Sequence, residues 1–224
     1  MSKEGMVYFI SGIDTDAGKT VATGAMLRWL LARGVDATSM KLVQTGCDGA
    51  AEDLVAHRAA AGLGETADDR EGLTAPQIFS FPSSPVLAAR LEGREVDVEK
   101  IASCAAELAR RHDVVLAEGA GGMLVPMGDG FFAADLAARE GWHLVLVTCG
   151  RLGSLNHTLL SHEAAKTRGI AVAGVVFNEW PLSDGRIAAD TRGEILRHME
   201  RLGFAPRMAT LSRGGEGDFT AIFQ

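Results

Sequence analysis

Gly12-Ile13-Asp14-Thr15-Asp16-Ala17-Gly18-Lys19-Thr20 is the stretch of sequence that decides the fold. It follows a short apolar run, residues 7–11, which is typical of a buried strand. It precedes residues 20–33, whose apolar side chains recur at helical spacing until Gly34, a residue suited to ending a helix. The sequence therefore predicts a strand, a tight loop and a helix in succession.

This loop carries the residue types that bind phosphate. Backbone N–H groups at the start of a helix are unpaired and point outward, so they can hold phosphate oxygens. Lys19 adds positive charge for the β- and γ-phosphates, and the Thr20 hydroxyl can ligate Mg²⁺. Gly12 lies one residue too far from Gly18 for the strict phosphate-loop spacing. The flanking strand and helix nevertheless favour a nucleotide-binding loop over a turn with a merely solvated lysine.

The rest of the chain repeats the alternation of strand and helix. Strand-like runs are followed or preceded by helical segments with a glycine near their ends. These runs lie at residues 35–43, 113–117, 143–149 and 170–178. The pattern predicts an α/β fold of P-loop NTPase type: one domain, residues 1–224, with a doubly wound, mostly parallel sheet and helices on both faces. Ligands of such folds bind where the strands end.

Composition narrows the classes of partner. The 224 residues include 47% hydrophobic and 23% charged residues, and the formal net charge is −7. An acidic surface repels phosphate backbones and anionic lipid, so neither nucleic acid nor membrane is expected as a partner. The three cysteines are widely spaced and residues 1–4 lead directly into the first strand without a signal stretch. A cytoplasmic location is therefore expected.

Six motifs in order along the chain carry a resemblance to a known family. The loop resembles the Gly-Thr-Asp-Thr-x-Val-Gly-Lys-Thr signature of dethiobiotin synthetases, with Ile13 and Ala17 as departures. The remaining motifs occur in the family's order, and the resemblance spans about residues 7–178. They are Lys41-Leu42-Val43-Gln44-Thr45-Gly46, Glu52-Asp53-Leu54, Ser84-Pro85, Glu118-Gly119-Ala120-Gly121-Gly122 and Leu152-Gly153-Ser154-Leu155-Asn156-His157.

The resemblance implies a reaction and its partners. Dethiobiotin synthetases join CO₂, or bicarbonate as its source, to 7,8-diaminopelargonic acid with ATP and Mg²⁺. The implied route passes through a carbamate on one amine and a phosphorylated carbamate, which the neighbouring amine attacks to close the ring. The family also implies a homodimer.

The resemblance further implies roles for individual residues. Catalytic roles fall on Lys41, Lys19 and Thr15, and metal ligation falls on Thr20, Asp53 and Glu118. Nucleotide contacts fall on Asp16, Ala17, Gly18, Lys19, Thr20, Val21, Asp53, Glu118, Gly119, Ala120, Gly121 and Asn178. Substrate contacts fall on Thr45, Leu152, Gly153, Ser154, Leu155 and Asn156.

Several of these positions have a chemical rationale of their own, and a plainer alternative beside it. Lys41 ends a strand, where its charge can face a phosphoryl group, although an edge lysine can also be merely solubilising. Glu118 is expected to end an apolar strand and to have no partner there other than a cation. Asp53 opens a helix, which favours an acidic residue in any case. Thr45 can lie in an ordinary turn, and Ser154 can simply be an N-cap.

Departures from the family pattern leave the nucleotide base open. Leu42 replaces a proline, Glu179 replaces the usual aspartate, and residues 209–212 replace Gly-x-Ile-Pro. ATP or another nucleoside triphosphate therefore remains possible. His157 and His162 diverge by about 140° on a helix and are interpreted as solvent or interface residues.

Two other functions remain as alternatives. One is a related P-loop synthase or amide ligase that acts on another substrate. The other is a partition-type ATPase switch, which the acidic loop residues Asp14 and Asp16 disfavour.

Overall fold

A computed structural model describes residues 4–224, so the expectation about residues 1–3 lies outside the described part of the chain. The strands are β1 Met6–Gly12, β2 Ala37–Lys41, β3 Gln44–Thr45, β4 Ile78–Phe79, β5 Val114–Gly122, β6 Pro126–Gly128, β7 Phe131–Phe132, β8 His143–Cys149, β9 Val172–Asn178 and β10 Met208–Leu211. The helices are α1 Lys19–Leu31, α2 Glu52–Ala60, α3 Ala67–Arg70, α4 Pro85–Leu91, α5 Val98–Arg111, α6 Ala133–Arg139, α7 Ser154–Thr167 and α8 Gly185–Arg201. A 3₁₀ turn, Thr15–Ala17, precedes α1.

Six strands form the central sheet in the order β10-β9-β8-β1-β5-β2, and every neighbouring pair is parallel. The chain passes from β1 outward to β2, returns to β5 and then continues in the opposite direction through β8, β9 and β10. Because parallel crossovers are right-handed, connections that travel in opposite directions place helices on both faces. The predicted doubly wound parallel sheet is confirmed.

The central strands are apolar along most of their length and become polar near their carboxyl ends. Burial on both faces of a parallel sheet favours continuous apolar runs, as in β5, β8 and β9. Apart from Thr38 and Ser39 in β2, the buried polar residues of the central sheet lie at or near the end of the parallel pairing. They are Ser11, Lys41, Glu118, Thr148 and Asn178. The polar side chains of the sheet are therefore concentrated at the carboxyl ends of its strands.

Helix α1 begins and ends as the sequence predicts. It starts directly after Gly18, whose φ of +93° is strained for any residue with a side chain. At its other end, the Gly34 N–H donates to Leu31 O at 3.0 Å and the Val35 N–H donates to Leu30 O at 3.2 Å. This is the Schellman arrangement that glycine favours at a helix end.

Close packing of α1 against α2 sets the position of α2 beside the loop. A Cβ atom at Gly24 would lie 2.7 Å from the Cβ of Ala60. Only glycine therefore permits this approach of the two helices without a shift. The packing places the start of α2 next to the start of α1.

Several strand boundaries differ from the sequence prediction, and β9 begins at Val172 rather than at residue 170. β2 covers only Ala37–Lys41 of the predicted residues 35–43. β5 does not end at Glu118 but continues to Gly122, where Gly12 is its register partner in β1. Because the glycines that follow Glu118 have no side chains, this part of β5 stays close to β1. Among residues 4–224, no helix is long and apolar enough to cross a bilayer.

Candidate nucleotide and metal site

The loop after β1 closes around the side chain of Lys19. The Asp14 carboxylate accepts a hydrogen bond from the Thr15 N–H at 2.7 Å and begins the 3₁₀ turn. Lys19 is buried, and its Nζ donates to the carbonyl oxygens of Asp14 at 3.1 Å and Thr15 at 3.0 Å. The loop is thus held in a curved form with the ammonium group at its centre.

The far side of the loop rests on β9. Asn178 Nδ2 donates to the carbonyl oxygen of Ala17 at 3.1 Å. A Cβ atom at Gly18 would lie 2.3 Å from the same Nδ2, so glycine is required here for the strand and loop to meet. Asp16 and Val21, also expected near the nucleotide, are exposed around the mouth of the loop.

The three residues expected to ligate a metal come together. Thr20 Oγ1 lies 3.0 Å from Asp53 Oδ1 and 3.1 Å from Glu118 Oε1. Thr20 belongs to the first turn of α1, Asp53 belongs to the first turn of α2 and Glu118 belongs to β5. The helix packing and the sheet register thus create the cluster from three distant segments.

Lys41 lies inside this cluster. Its Nζ lies 2.6 Å from Asp53 Oδ2 and 2.8 Å from Glu118 Oε1, and it donates to Gly119 O at 3.2 Å. The residue is buried, so the alternative of a solubilising surface lysine is wrong. All three ammonium donors of Lys41 have acceptors in this arrangement.

Glu118 has more partners than the sequence indicated. It is fully buried, and its Oε2 lies 2.8 Å from His57 Nε2 and 2.7 Å from Thr23 Oγ1. The expectation that its carboxylate has no partner other than a cation is therefore wrong. His57 and Thr23 were missed by sequence reasoning. The spacing of four residues between Asp53 and His57 on a helix was the available signal.

The charges in the cluster reinforce one another. Burial alone would raise the pKa of Glu118, but the Lys41 ammonium and the His57 hydrogen bond hold it well below its usual range. Burial alone would lower the pKa of Lys41, but the charges of Glu118 and Asp53 raise it above its usual value. Burial and the nearby Lys41 lower the pKa of Lys19. The site therefore holds the ionised Glu118 carboxylate beside positive charge.

The donor set fits a hard divalent cation. One hydroxyl and two carboxylates converge, and Mg²⁺ prefers one or two carboxylates together with phosphate oxygens and water. Within residues 4–224, no cluster of three or more His, Cys, Asp or Glu side chains has metal-site geometry. A cation here would therefore take further oxygen ligands from a bound phosphate group.

The glycine segment after Glu118 borders the loop. A Cβ atom at Gly121, whose φ is +63°, would lie 2.9 Å from Val125 Cγ2 and 3.8 Å from Thr15 Oγ1. Glycine at position 121 thus gives Val125 space, and Thr15 lies beside the backbone segment of Gly119, Ala120 and Gly121.

Thr45 lies near the acidic end of α2. It belongs to β3, and the neighbouring Gln44 Oε1 accepts a hydrogen bond from the Asp53 N–H at 3.4 Å. Thr45 is half-buried and is followed by Gly46, whose φ is +81°. The structure therefore places the β3 segment that contains Thr45 next to the first turn of α2.

The expected substrate segment begins α7. The N-cap is Gly153, and Ser154 is the first residue of the helix, so the alternative of Ser154 as N-cap is wrong. Leu152 is 88% exposed, and Asn156 is exposed as well. Arg151 Nη2 lies 2.5 Å from Asp14 Oδ2, which joins this segment to the phosphate loop.

An apolar groove of about 340 Å³ lies between the loop, the end of β5 and α7. It is lined by residues of these three elements, including Ile13, Val125 and Leu160. Within the groove region, Leu124 and Leu160 remain 49% and 60% exposed. The groove runs from the phosphate loop along the side of α7 that carries His157, Leu160 and Ala164.

Comparison with known proteins gives a consistent set of relatives. A family model described as an AAA domain matches residues 6–213. An ATP-dependent dethiobiotin synthetase BioD 2 of Pasteurella multocida is 42% identical, over 87% of this chain and 92% of the relative. An ATP-dependent dethiobiotin synthetase BioD of Chlorobaculum tepidum is 46% identical, over 90% and 84%. A BioD 2 of Haemophilus influenzae is 46% identical, over 80% and 94%.

Solved structures share the fold at low sequence identity. The cell division protein FtsY of Thermotoga maritima has a TM-score of 0.58 at 16% identity, with 97% of this chain and 66% of that chain covered. A ParA family ATPase of Chlorobium tepidum has a TM-score of 0.56 at 14% identity, with 95% and 85% covered. At such identities the likeness concerns the fold alone.

Proposed function

The chain belongs to the ATP-dependent dethiobiotin synthetase family, the cyclo-ligases of biotin biosynthesis, and from this premise we propose the reaction that it catalyses. It joins CO₂ and 7,8-diaminopelargonic acid into the cyclic urea of dethiobiotin, and ATP becomes ADP and phosphate. The observation that carries the proposal is the cluster of Thr20, Lys41, Asp53 and Glu118 beside the closed loop. It combines phosphate-binding, cationic and metal-ligating groups within hydrogen-bond distance.

The proposed reaction has three balanced steps. One substrate amine attacks CO₂, an N–C bond forms, and a proton leaves to give a carbamate. A carbamate oxygen attacks the γ-phosphorus of ATP, and ADP departs. The second amine then attacks the carbamate carbon, phosphate departs with the C–O bond electrons, and a proton is released as the ring closes.

The loop positions the phosphates for the second step. Its N–H groups face outward at the start of α1, and Lys19 holds positive charge inside the loop. Bound Mg²⁺ neutralises phosphate charge and orients the transferred group. Thr20, Asp53 and Glu118 would hold that cation.

Lys41 supplies positive charge where the transferring group develops negative charge. Its buried strand-end position fixes the ammonium, so little reorganisation is needed during reaction. Thr15 lies at the mouth of the loop beside Gly121, where a hydroxyl can contact the transferring phosphate. Asp16, Ala17, Val21, Ala120 and Asn178 complete the proposed nucleotide contacts around the loop.

The start of α7 offers a site for the substrate carboxylate. Unpaired N–H groups at a helix N-terminus favour an anion, and the segment from Leu152 to Asn156 lies there. The adjacent apolar groove suits the aliphatic chain of diaminopelargonic acid. Thr45 would contact the amine or carbamate end, near Asp53.

We also propose that two copies of this chain form a homodimer, that each acts as one domain, and that it works in the cytoplasm. Support for the dimer comes from exposed apolar residues. Leu124 and Leu160 line the groove, and Leu152 lies just before α7. Sedimentation of the wild type should give a dimer. Leu152→Asp and Leu160→Asp together should shift it toward monomer and weaken diamine binding while sparing ATP binding.

The reaction is tested directly by product analysis. Purified protein is incubated with ATP, Mg²⁺, bicarbonate and 7,8-diaminopelargonic acid, and dethiobiotin is sought by mass. Dethiobiotin that forms only when ATP, Mg²⁺ and bicarbonate are all present supports the proposal. ATP binding without product would instead point to another P-loop synthase reaction. Hydrolysis stimulated by DNA or lipid would point to a partition-type ATPase, and replacing ATP by CTP or GTP reports the base preference.

A further inference from the structure

A chain of buried polar side chains lies behind Glu118, on the side away from the loop. Ser39 in β2 and His57 in α2 are both fully buried. Ser39 Oγ lies 3.1 Å from His57 Nδ1, and His57 Nε2 lies 2.8 Å from Glu118 Oε2. None of the family motifs described above includes Ser39 or His57, so the sequence motifs alone assign them no part in the site.

Arg58 anchors the Ser39 end of this chain. Its Nη1 donates to Ser39 Oγ at 2.8 Å, and a guanidinium group has no acceptor. Arg58 is itself held by a bidentate pair with Asp69, at 2.9 Å and 2.7 Å. Ser39 Oγ therefore accepts from Arg58 and also lies within hydrogen-bond distance of His57 Nδ1.

The donor role of His57 follows from its partner on the other side. An ionised carboxylate oxygen only accepts hydrogen bonds, so His57 Nε2 carries a hydrogen and donates it to Glu118 Oε2. The imidazole thus acts as a fixed donor.

The two oxygens of Glu118 consequently face different partners. Oε2 is held by His57 and Thr23, whereas Oε1 faces Thr20 and Lys41. A carboxylate held at one oxygen cannot rotate without losing that hydrogen bond. The other oxygen is thereby aimed at the Thr20 hydroxyl.

Helix α2 contributes two residues to the cluster from one of its faces. Asp53 and His57 are four residues apart, so they lie one above the other on the same side of the helix. Asp53 meets Thr20 directly, and His57 reaches the cluster only through Glu118.

We propose that His57, oriented by Ser39, is a positioning residue that holds the Glu118 carboxylate in place for the divalent cation. This inference rests on the metal role of Glu118 in the proposed function. Groups that hydrogen-bond a metal ligand typically change metal affinity by about 10–100-fold when removed. His57 therefore acts on cation affinity rather than on the phosphoryl transfer itself.

The test measures cation binding with Mn²⁺ as the probe. Mn²⁺ is titrated into the full-length protein at saturating ADP, and free Mn²⁺ is followed by electron paramagnetic resonance. His57→Leu should weaken Mn²⁺ binding by about 10-fold or more. His57→Gln, whose amide N–H can replace Nε2–H, should recover most of that loss. His162→Leu is the matched control, because it replaces another fully buried histidine on a different helix.

Kinetics supply an independent readout. In His57→Leu, the Mg²⁺ concentration for half-maximal activity should rise by a similar factor, while kcat at saturating Mg²⁺ stays within about 3-fold of wild type. A fall in kcat that no Mg²⁺ concentration relieves would contradict a positioning role.

The outcomes separate this inference from the proposed function. If wild type and His57→Leu bind Mn²⁺ equally, the positioning role is wrong and the proposed function stands. If wild type binds no Mn²⁺ in the presence of ADP, the proposed metal site is wrong and the inference falls with it. Should His57→Leu fail to fold, Ser39→Ala takes its place. Unaltered Mn²⁺ affinity in Ser39→Ala would then overturn the relay through Ser39.

Discussion

Lys41 and Glu118 are register partners in the neighbouring parallel strands β2 and β5, and Lys41 Nζ lies 2.8 Å from Glu118 Oε1. The same ammonium group lies 2.6 Å from Asp53 Oδ2. Two carboxylates thus share one buried lysine, which does not neutralise both. The negative charge that remains suits a bound cation, and the Lys41 ammonium lies directly beside that position.

Lys41→Gln is expected to lower turnover by more than about 100-fold, because a fixed positive charge at the transferring group is lost. It should also lower Tm in metal-free buffer, since Asp53 and Glu118 lose their shared cation. Added Mg²⁺ should raise Tm more in this variant than in wild type. Scanning fluorimetry with and without Mg²⁺ checks the second part.

The control for that experiment is Lys100→Gln, which removes an exposed lysine of α5. Its Tm and turnover should match those of wild type. Wild-type turnover in Lys41→Gln would mean that the lysine serves stability alone.

Lys19→Ala is expected to abolish detectable ATP binding, because its ammonium is the only buried positive charge that the loop itself contributes among the described residues. Its hydrogen bonds to Asp14 O and Thr15 O also shape the loop, so the empty loop should become less ordered. Isothermal titration calorimetry with ATP measures the effect. Retention of wild-type affinity would contradict the assignment of the loop.

His112 should stabilise the fold more at low pH than at high pH. Partial burial would lower its pKa, but hydrogen bonds with Asp36 at 2.6 Å and Asp68 at 2.8 Å outweigh burial and raise it. A raised pKa in the folded state stabilises below the unfolded value of about 6.5, and this stabilisation is lost as pH rises through the folded pKa.

His112→Gln should therefore cost about 1 kcal/mol or more in the free energy of unfolding at pH 6 and much less at pH 9. Urea unfolding at the two pH values measures the difference. A loss of equal size at both would show that the imidazolium charge is not involved.

His162 should have the opposite pH dependence. It is fully buried, and neither ring nitrogen has a hydrogen-bond partner among residues 4–224. Its interpretation as a solvent or interface residue is thus wrong for the described chain. Burial, reinforced by the neighbouring His198, lowers its pKa to about 4. The stability that the neutral ring preserves is present above about pH 6.5 and is lost as pH falls toward 4.

His162→Leu should raise the free energy of unfolding by about 1–2 kcal/mol at pH 7, because it removes unsatisfied buried polar atoms. The advantage over wild type should widen by up to about 3 kcal/mol near pH 4. Parallel pH–stability curves for the two proteins would show that the histidine stays hydrated and titrates normally.

Much of the fold and part of the site were predictable from local patterns. The apolar run before Gly12, the glycine at position 18 and the helical spacing after Thr20 each reflect a constraint on nearby backbone. Gly34 reflects the same kind of local constraint, because the residue that ends a helix with a positive φ is usually glycine. The end of β5 was less predictable. The strand continues past Glu118 through glycines, and glycines provide no alternation of apolar and polar side chains from which a strand can be recognised.

The partners of Glu118 were not predictable in this way. Thr23, Lys41 and His57 come from two helices and a neighbouring strand, and nothing local connects them. Sequence reasoning expected Glu118 near the end of an apolar strand, and the structure places its carboxylate beside Thr20 and Lys41. Sequence reasoning was wrong in expecting a carboxylate without protein partners there.

The sequence by itself determined the phosphate loop, the alternation of strands and helices, and the family. These depend on residues adjacent along the chain, whose dihedral preferences and spacing act locally. Only the tertiary structure decided that Thr20, Asp53 and Glu118 meet, that Lys41 lies between the carboxylates, and that His57 holds Glu118 from behind. Strand register and the close contact of Gly24 with Ala60 fix those meetings, and both arise from packing between distant segments.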